Sequence, residues 1–573
     1  MEEIIVALSR IDATYIRVFQ AVLRYLMPIL AALLLIRAAK PLLTFQREPE
    51  IWAWLIPEVG KRWPITHWET VIGRSKRSDL PLELPTVSRN HAVLTRYDDG
   101  TWTISDTHSK DGVYVNGKRV GICQVYDQDV ITIGGIDMVL QTITRQQEIL
   151  LAQLRTKATR PLTSIANLFL LTLIQFLCCL SYLMGGNPEA GRSVIVGFAG
   201  IVACQWLLLA VYVCIRKASF EVETIAFFLC TVGMAVIAAT KPDEAVKQLL
   251  ATVLGLALFL TVGLLLRKLD WAKKVQVFAG IAGIGLLLVT LVFGQEYHGA
   301  KNWLSIGGFS VQPSELSKVC FVFAGAATMD LVVNRKNLIL FIGYTLGICA
   351  CLAVMNDFGT ALIFFVAFLL IAYMRSGSLG TIALACTSLG FAGVIAVKIA
   401  PHALRRFAAW RHIWEVPLAE GYQQTRALMC IASGGLFGLG AGHGLMRRIP
   451  AADTDLVFSV VSEEWGVLIA VMTVICVIVY ALFALRCAAV GRSCFYTIGA
   501  CTAAGVLLVQ AIFNVLGTVD ILPLTGVTFP FVSNGGSSML STWGLLAFIK
   551  AADTRQDASF AVRQSREGRI ENG

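Results

Sequence analysis

The chain has 573 residues, of which 56% are hydrophobic and only 15% charged, and its mean hydropathy is +0.68. That balance excludes a water-soluble globular protein and predicts several membrane spans. The net charge of +10 is small for this length; it reads as the Lys/Arg excess that orients membrane proteins, not as a nucleic-acid footprint. Most of the fifteen cysteines, among them Cys178, Cys179, Cys204, Cys214, Cys349 and Cys351, lie inside apolar runs without metal-ligand spacing. They read as small buried hydrophobes.

Residues 1–20 are mixed in charge, and no cleavable signal peptide is expected. Val22–Leu43 is long enough to span once, with an interfacial helix as the alternative. Arg37, Lys40 and Arg47 follow, which places the next segment in the cytoplasm. Residues 1–49 are therefore an N-terminal membrane anchor.

Residues 50–145 are polar and turn-rich. Val93 to Ile104 reads as strand, Asp-Gly turn, strand, and Val113–Val120 holds an Asn116-Gly117 hairpin turn. Short strands at this spacing predict a β-sandwich. Ile72-Gly-Arg74, Ser88-Arg-Asn-His91, Ser109-x-x-Gly112 and Asn116-Gly117 together resemble the forkhead-associated (FHA) domain. The resemblance implies a phosphothreonine-binding module. Arg74 and Ser88 stand where the family holds the phosphate, with Arg89 as a helper: a charged fork and a hydroxyl suit a dianion. Asp111 replaces the asparagine that grips the peptide backbone, which alters affinity and partner choice. The alternative is an FHA module that binds without phosphate. His91 reads as a structural residue at the loop base.

A polar linker spans 146–161, and two extra transmembrane helices are expected within 162–216. The remaining spans fall near 223–239, 246–266, 275–294, 316–333, 338–355, 358–374, 379–399, 458–485, 494–516 and 530–550, followed by a tail over 552–573. Arg216-Lys217, Arg267-Lys268, Arg335-Lys336, Arg375, Arg486 and Lys550 mark inner ends. With these, every loop alternates if residues 50–145 and the C-terminal tail are cytoplasmic and 401–457 is extracellular. The fold class expected is a polytopic α-helical membrane protein with a cytoplasmic all-β sandwich.

Four polar stretches interrupt membrane-depth sequence, where polar residues are functional candidates. They are Gly299–Lys318, Asn356–Thr360, Thr454–Gly466 and Leu522–Ser538. A fifth, Pro401–Trp465, carries Arg405, Arg406, Arg411, Arg426, Arg447 and Arg448 on the side where arginine is disfavoured. Guanidinium forks there suit an anionic head group. Gln312-Pro-Ser-Glu-Leu and Ser533-x-Gly-Gly-Ser537, with the other stretches in order over about residues 220–550, resemble the SEDS family, the RodA and FtsW proteins of bacteria.

The resemblance implies a ten-helix core over 217–551 in the bacterial inner membrane. It also implies a glycosyltransferase that polymerises lipid II into peptidoglycan glycan strands beside a class B penicillin-binding protein. Such a reaction needs a base for the attacking sugar hydroxyl and positive charge for the departing pyrophosphate. Substrate-binding candidates are Arg405, Arg406, Arg411, Trp303, Glu315, Lys318, Gln423 and Ser537. Glu315 and Lys318, three apart, also suit a helix-holding pair, and Trp303 an interfacial aromatic. No cofactor is called for; a divalent cation is the one candidate left open.

The family's catalytic aspartate precedes Pro-x-Gly-x-Gly-Tyr-Gln. Here the segment is Trp414-Glu-Val-Pro-Leu-Ala-Glu-Gly-Tyr-Gln423, and that position is Val416. Three readings stay open: Glu415 serves as base; Asp455 or another carboxylate does; or the chain is an inactive scaffold or regulator of the wall machinery. A lipid-linked precursor transporter is a further alternative, without an inverted repeat to support it.

Overall fold

Residues 12–45, 51–147 (without 59, 61, 77, 98, 99 and 145), 161–185, 191–215, 219–267, 269–297, 300–306, 309–330, 335–376, 379–399, 401–491, 493–555 and 558 are described by a computed structural model. Most of the expected 146–161 linker, Arg216-Lys217 and residues 559–573 lie outside them.

Helix α1 runs Ala13–Leu43, starting nine residues before the expected span. Asp12 explains the early start: its carboxylate accepts the Thr14 N–H at 2.7 Å and caps the helix.

The polar segment folds as two packed sheets. One has the order β2–β1–β11–β10–β7–β8, formed by Trp63–Ile65, Ala53–Pro57, Ile136–Thr142, Val130–Ile133, Val113–Val115 and Lys118–Val120. The other has the order β4–β3–β5–β6–β9, formed by Leu80–Pro81, Glu69–Gly73, Ala92–Arg96, Trp102–Asp106 and Ile122–Val125. Both expected hairpins form. Leu94 stands opposite Ile104, and Asn116 (φ 49°) and Gly117 (φ 78°) give the two left-handed residues of a type I′ turn. Leu55, Ile72, Leu94, Ile104, Ile131, Met138 and Leu140 alternate inward to fill the core.

The membrane part consists of α2 Pro161–Gly185, α3 Gly191–Cys214, α4 Glu221–Thr240, α5 Ala245–Leu265, α6 Leu269–Phe293, α7 Pro313–Asp330, α8 Arg335–Val354, α9 Phe358–Ser376, α10 Leu379–Ile399, α11 Pro401–Ala409, α12 Tyr422–Gly434, α13 Val457–Trp465, α14 Val467–Ala489, α15 Cys494–Thr518 and α16 Gly536–Ala551. Among the described residues, eight helices are long and apolar enough to cross a membrane: α1 to α6, α14 and α15, within the bounds the described residues allow. The α4 helix is the centre, enclosed over nearly its whole length. Trp543 of α16 is fully buried, its ring 5.2–5.5 Å from those of Phe227, Phe259 and Phe531.

Two expected spans are shorter than anticipated. The 458–485 stretch breaks at Gly466 (φ 88°) into α13 and α14. The 530–550 stretch is helical only from Gly536, because Pro523, Pro530 and left-handed Gly526 (φ 69°) hold Leu522–Gly535 in an irregular course. Gly299–Val311 hides a third departure: β12 Gln295–Tyr297, β13 Ala300–Ile306 and β14 Phe309–Val311 form a three-stranded antiparallel sheet.

The accessory helices are tied to the core by polar contacts. Gln175 and Gln205 exchange amide hydrogen bonds at 3.0 Å, and Gln175 also reaches Thr231 of α4 at 3.0 Å. Tyr182 donates to Glu464 at 2.7 Å and accepts from the Trp465 indole at 3.0 Å. Gln20 Oε1 lies 2.8 Å from His443 Nε2. Glu463 in turn accepts the Leu445 and Met446 N–H groups, each at 2.9 Å.

These contacts require the glycine-rich turn after α12 to lie flat on α13. Gly438 is left-handed (φ 82°), and a Cβ there would stand 2.2 Å from the Glu464 carbonyl oxygen. Gly438→Ala therefore combines backbone strain with a steric clash, and is expected to destabilise the protein by at least about 2 kcal/mol. A lowered thermal midpoint in detergent checks this; an unchanged midpoint would contradict it.

Candidate active site

The arginine-rich stretch and the irregular Leu522–Gly535 segment meet. Helix α11 is amphipathic, placing Arg405 and Arg406 beside the buried Ala409. Arg406 Nη1 donates to the Leu524 carbonyl at 3.3 Å, and the Trp410 indole donates to that of Ile521 at 3.1 Å. A cavity of about 200 Å³ opens here, lined by Arg405, Arg406, Ala409, Glu420, Gln423, Gln424 and Leu524. Three of the expected substrate-binding residues, Arg405, Arg406 and Gln423, thus come together. Glu420, Gln424 and Leu524 were not expected there. Gln423 and Gln424 open α12, and Glu420 lies in the turn just before it.

Other expected residues fall elsewhere. Arg411 is left-handed (φ 64°); its N–H bonds Asp520 at 3.2 Å and its guanidinium lies over Trp410. Glu415 is 75% exposed and pairs with His412 at 3.0 Å, outside the cavity lining. Val416 closes the turn that follows: its carbonyl accepts the Ala419 and Gly421 N–H groups at 3.2 Å each. Asp455 lies beside Arg406, outside the cavity lining: a side chain on Gly526 would meet Asp455 Oδ2 at 3.4 Å and Arg406 Nη1 at 3.8 Å.

Trp303 sits half-buried on β13, opposite Gln295. Ser537 accepts the Gln312 N–H at 2.8 Å, and Gln312 and Asn302 both donate to Asp357, at 3.2 and 3.0 Å. Glu315 and Lys318 are buried and paired at 2.7 Å, with Ser541 of α16 donating to the other Glu315 oxygen at 2.7 Å. This geometry matches the helix-holding alternative: neither side chain faces the cavity lining.

A polar network missed from sequence joins three distant loops. Asp453 pairs with Lys241 at 3.0 Å, and the Asn534 amide donates to Asp453 at 2.8 Å and to Glu244 at 2.6 Å. It anchors one end of the irregular segment, as Ser533 does by donating to the Thr454 carbonyl. Phe531, a bulky residue held left-handed (φ 63°), marks local strain just before those anchors.

In the β-sandwich, the β3 end and the 88–91 loop are brought edge to edge. The Arg74 N–H donates to the Ser88 carbonyl at 2.9 Å and that of Ser75 to the Arg89 carbonyl at 3.1 Å. The Lys110 N–H reaches the Ser88 hydroxyl at 3.1 Å, which brings the exposed Asp111 loop alongside. His91 is fully buried: its Nδ1 accepts the Ser88 N–H at 3.1 Å, so Nε2 carries the proton it donates to the Gly112 carbonyl at 2.9 Å.

Comparison with known proteins gives the family. The family described as cell cycle protein, covering FtsW, RodA and SpoVE, matches residues 224–558, more than half of the chain. The chain belongs to the FtsW/RodA/SpoVE family. An FHA domain matches residues 70–134. Among relatives of the family core, the peptidoglycan glycosyltransferase RodA of Mycobacterium tuberculosis is 28% identical over 325 residues, 53% of this chain and 69% of that protein. The probable peptidoglycan glycosyltransferase FtsW of Saccharophagus degradans is 28% identical over 356 residues, 58% of this chain and 92% of that protein. A chain of a solved peptidoglycan synthase complex is 23% identical, covers 58% of this chain and 96% of its own length, and has a TM-score of 0.48. The cavity and all the polar stretches lie inside the FtsW/RodA/SpoVE match; α1, the FHA domain, α2 and α3 lie before it.

Proposed function

We propose that this chain is a peptidoglycan glycosyltransferase of the bacterial inner membrane that polymerises lipid II into glycan strands, regulated through phosphothreonine binding by its FHA domain. The observation that carries the reading is the cavity lined by Arg405, Arg406 and Gln423 within the family match. Two guanidinium groups on a short helix suit a pyrophosphate and would stabilise the charge that develops as it departs. A class B penicillin-binding protein is the expected crosslinking partner. The FHA domain and tail face the cytoplasm and the 401–457 segment faces outward, in keeping with the Lys/Arg clusters at the other span ends.

The test is polymerisation of labelled lipid II by the full chain, alone and with its penicillin-binding partner, read as a glycan ladder on a gel. No ladder under conditions where a related polymerase makes one overturns the reading. Val416 is the observation favouring a second one, a regulatory scaffold that docks phosphoproteins without chemistry.

The FHA half is tested separately. Arg74→Ala is expected to weaken binding of a phosphothreonine peptide by about 10–100-fold, the worth of a charge-assisted hydrogen-bonded pair. Titration calorimetry measures it; equal affinity in wild type and variant would remove Arg74 from the phosphate site.

A further inference from the structure

The chain lacks an acid at position 416 yet keeps Pro417, Gly421, Tyr422 and Gln423 of that loop motif. The loop's hydrogen bonds show which carboxylate is positioned to replace it. The turn closes on the Val416 carbonyl, which takes both the Ala419 and Gly421 N–H groups. Gly421 is pressed so closely beneath this turn that a Cβ would stand 2.4 Å from the Ile413 carbonyl oxygen. The helix α12 starts at Tyr422 directly after this glycine, which puts Glu420 in the turn two residues before it.

Glu420, Gln423 and Gln424 all line the cavity together with Arg405 and Arg406. The two glutamines are fixed by the protein. Gln423 donates to the Pro450 carbonyl at 3.0 Å, and Gln424 to that of Gly517 at 2.8 Å. The rival carboxylates are placed differently. Glu415 pairs with His412 outside the lining, and Asp455, beside Arg406, is also outside it and already engaged within the protein.

We propose that Glu420 is the catalytic base of this chain, a proton acceptor moved four residues along the loop from the position the family resemblance assigns. The proposal rests on the glycosyltransferase reading above. In the step it serves, the Glu420 carboxylate takes the proton of the acceptor sugar's hydroxyl. That oxygen bonds to the anomeric carbon of the donor sugar as the bond from this carbon to the pyrophosphate breaks. The electron pair leaves on the pyrophosphate oxygen, whose charge Arg405 and Arg406 meet. A glutamate reaching from the start of α12 supplies what Val416 cannot, in the same cavity as the leaving-group charge.

The experiment compares full-length wild type, Glu420→Gln, Glu420→Asp and Glu415→Gln for polymerisation of labelled lipid II, with lipid II binding measured in parallel. Glu420→Gln is expected to lose at least about 10²-fold in rate while its lipid II affinity stays within about twofold of wild type. Glu420→Asp retains part of the rate, Glu415→Gln loses far less, and adding Val416→Asp to Glu420→Gln recovers activity. If wild type makes polymer and Glu420→Gln matches it, the base lies elsewhere: the proposal falls and the polymerase reading stands. If Glu420→Gln loses affinity in step with rate, Glu420 is a binding residue and the proposal is again overturned. If wild type makes no polymer, both readings fail together.

Discussion

An Arg405→Ala/Arg406→Ala variant is expected to polymerise lipid II at least about 10²-fold more slowly than wild type, a loss of about 2.7 kcal/mol or more in transition-state stabilisation. The reason lies in where the two side chains stand. Helix α11 presents both to one cavity, and the Leu524 carbonyl holds Arg406 in place, so little reorganisation is needed as the pyrophosphate acquires charge. Lysine substitutions separate charge from geometry. They keep the charge and lose the planar fork, so an intermediate loss of about tenfold is expected if bidentate contact matters. Single-turnover rates at saturating lipid II make the measurement. A double alanine variant that raises KM alone would show that the arginines bind without contributing to the chemical step.

The second large effect concerns stability. Lys318→Met leaves Glu315 buried against Ser541 without its cation, and is expected to cost about 3–5 kcal/mol. The double variant Glu315→Leu/Lys318→Met should recover most of this, because removing both charges also removes the penalty of burying them. Thermal unfolding in detergent, with lipid II affinity in parallel, makes the comparison. The pair bridges α7 to α16 through Ser541, so its loss acts on helix packing. Were Lys318 to contact substrate instead, Lys318→Met would weaken lipid II binding with its unfolding midpoint intact.

What could be read in advance followed from how local each determinant is. The β-hairpins were legible because Asn116-Gly117 encodes its own turn, and the long helices because about 20 apolar residues suffice to span. The break at Gly466 was not, since a left-handed glycine inside an apolar run carries no periodic signal. The Trp303 sheet was missed because its polar, glycine-flanked strands were read as interrupted membrane sequence. Arg405 and Arg406 stood out by charge on the wrong side, and Gln423 by motif. Glu420 did not, because its place depends on the turn closing over Val416, a hydrogen-bond pattern that residue types alone do not specify. The same holds for Asp453, Lys241, Asn534 and Glu244, which meet from three parts of the chain.

The contacts of Tyr182 with Glu464 and Trp465, and of Gln20 with His443, bear on how such a protein is assembled over evolutionary time. Here the helices that flank the FHA domain supply a phenol to a carboxylate of the family core that is otherwise shut away from water. Deleting them would strip that carboxylate of a donor and uncover the side of α4 that Gln175 now meets. Loss of the signalling half together with its flanking helices would therefore also cost the core part of its own packing and hydrogen bonding.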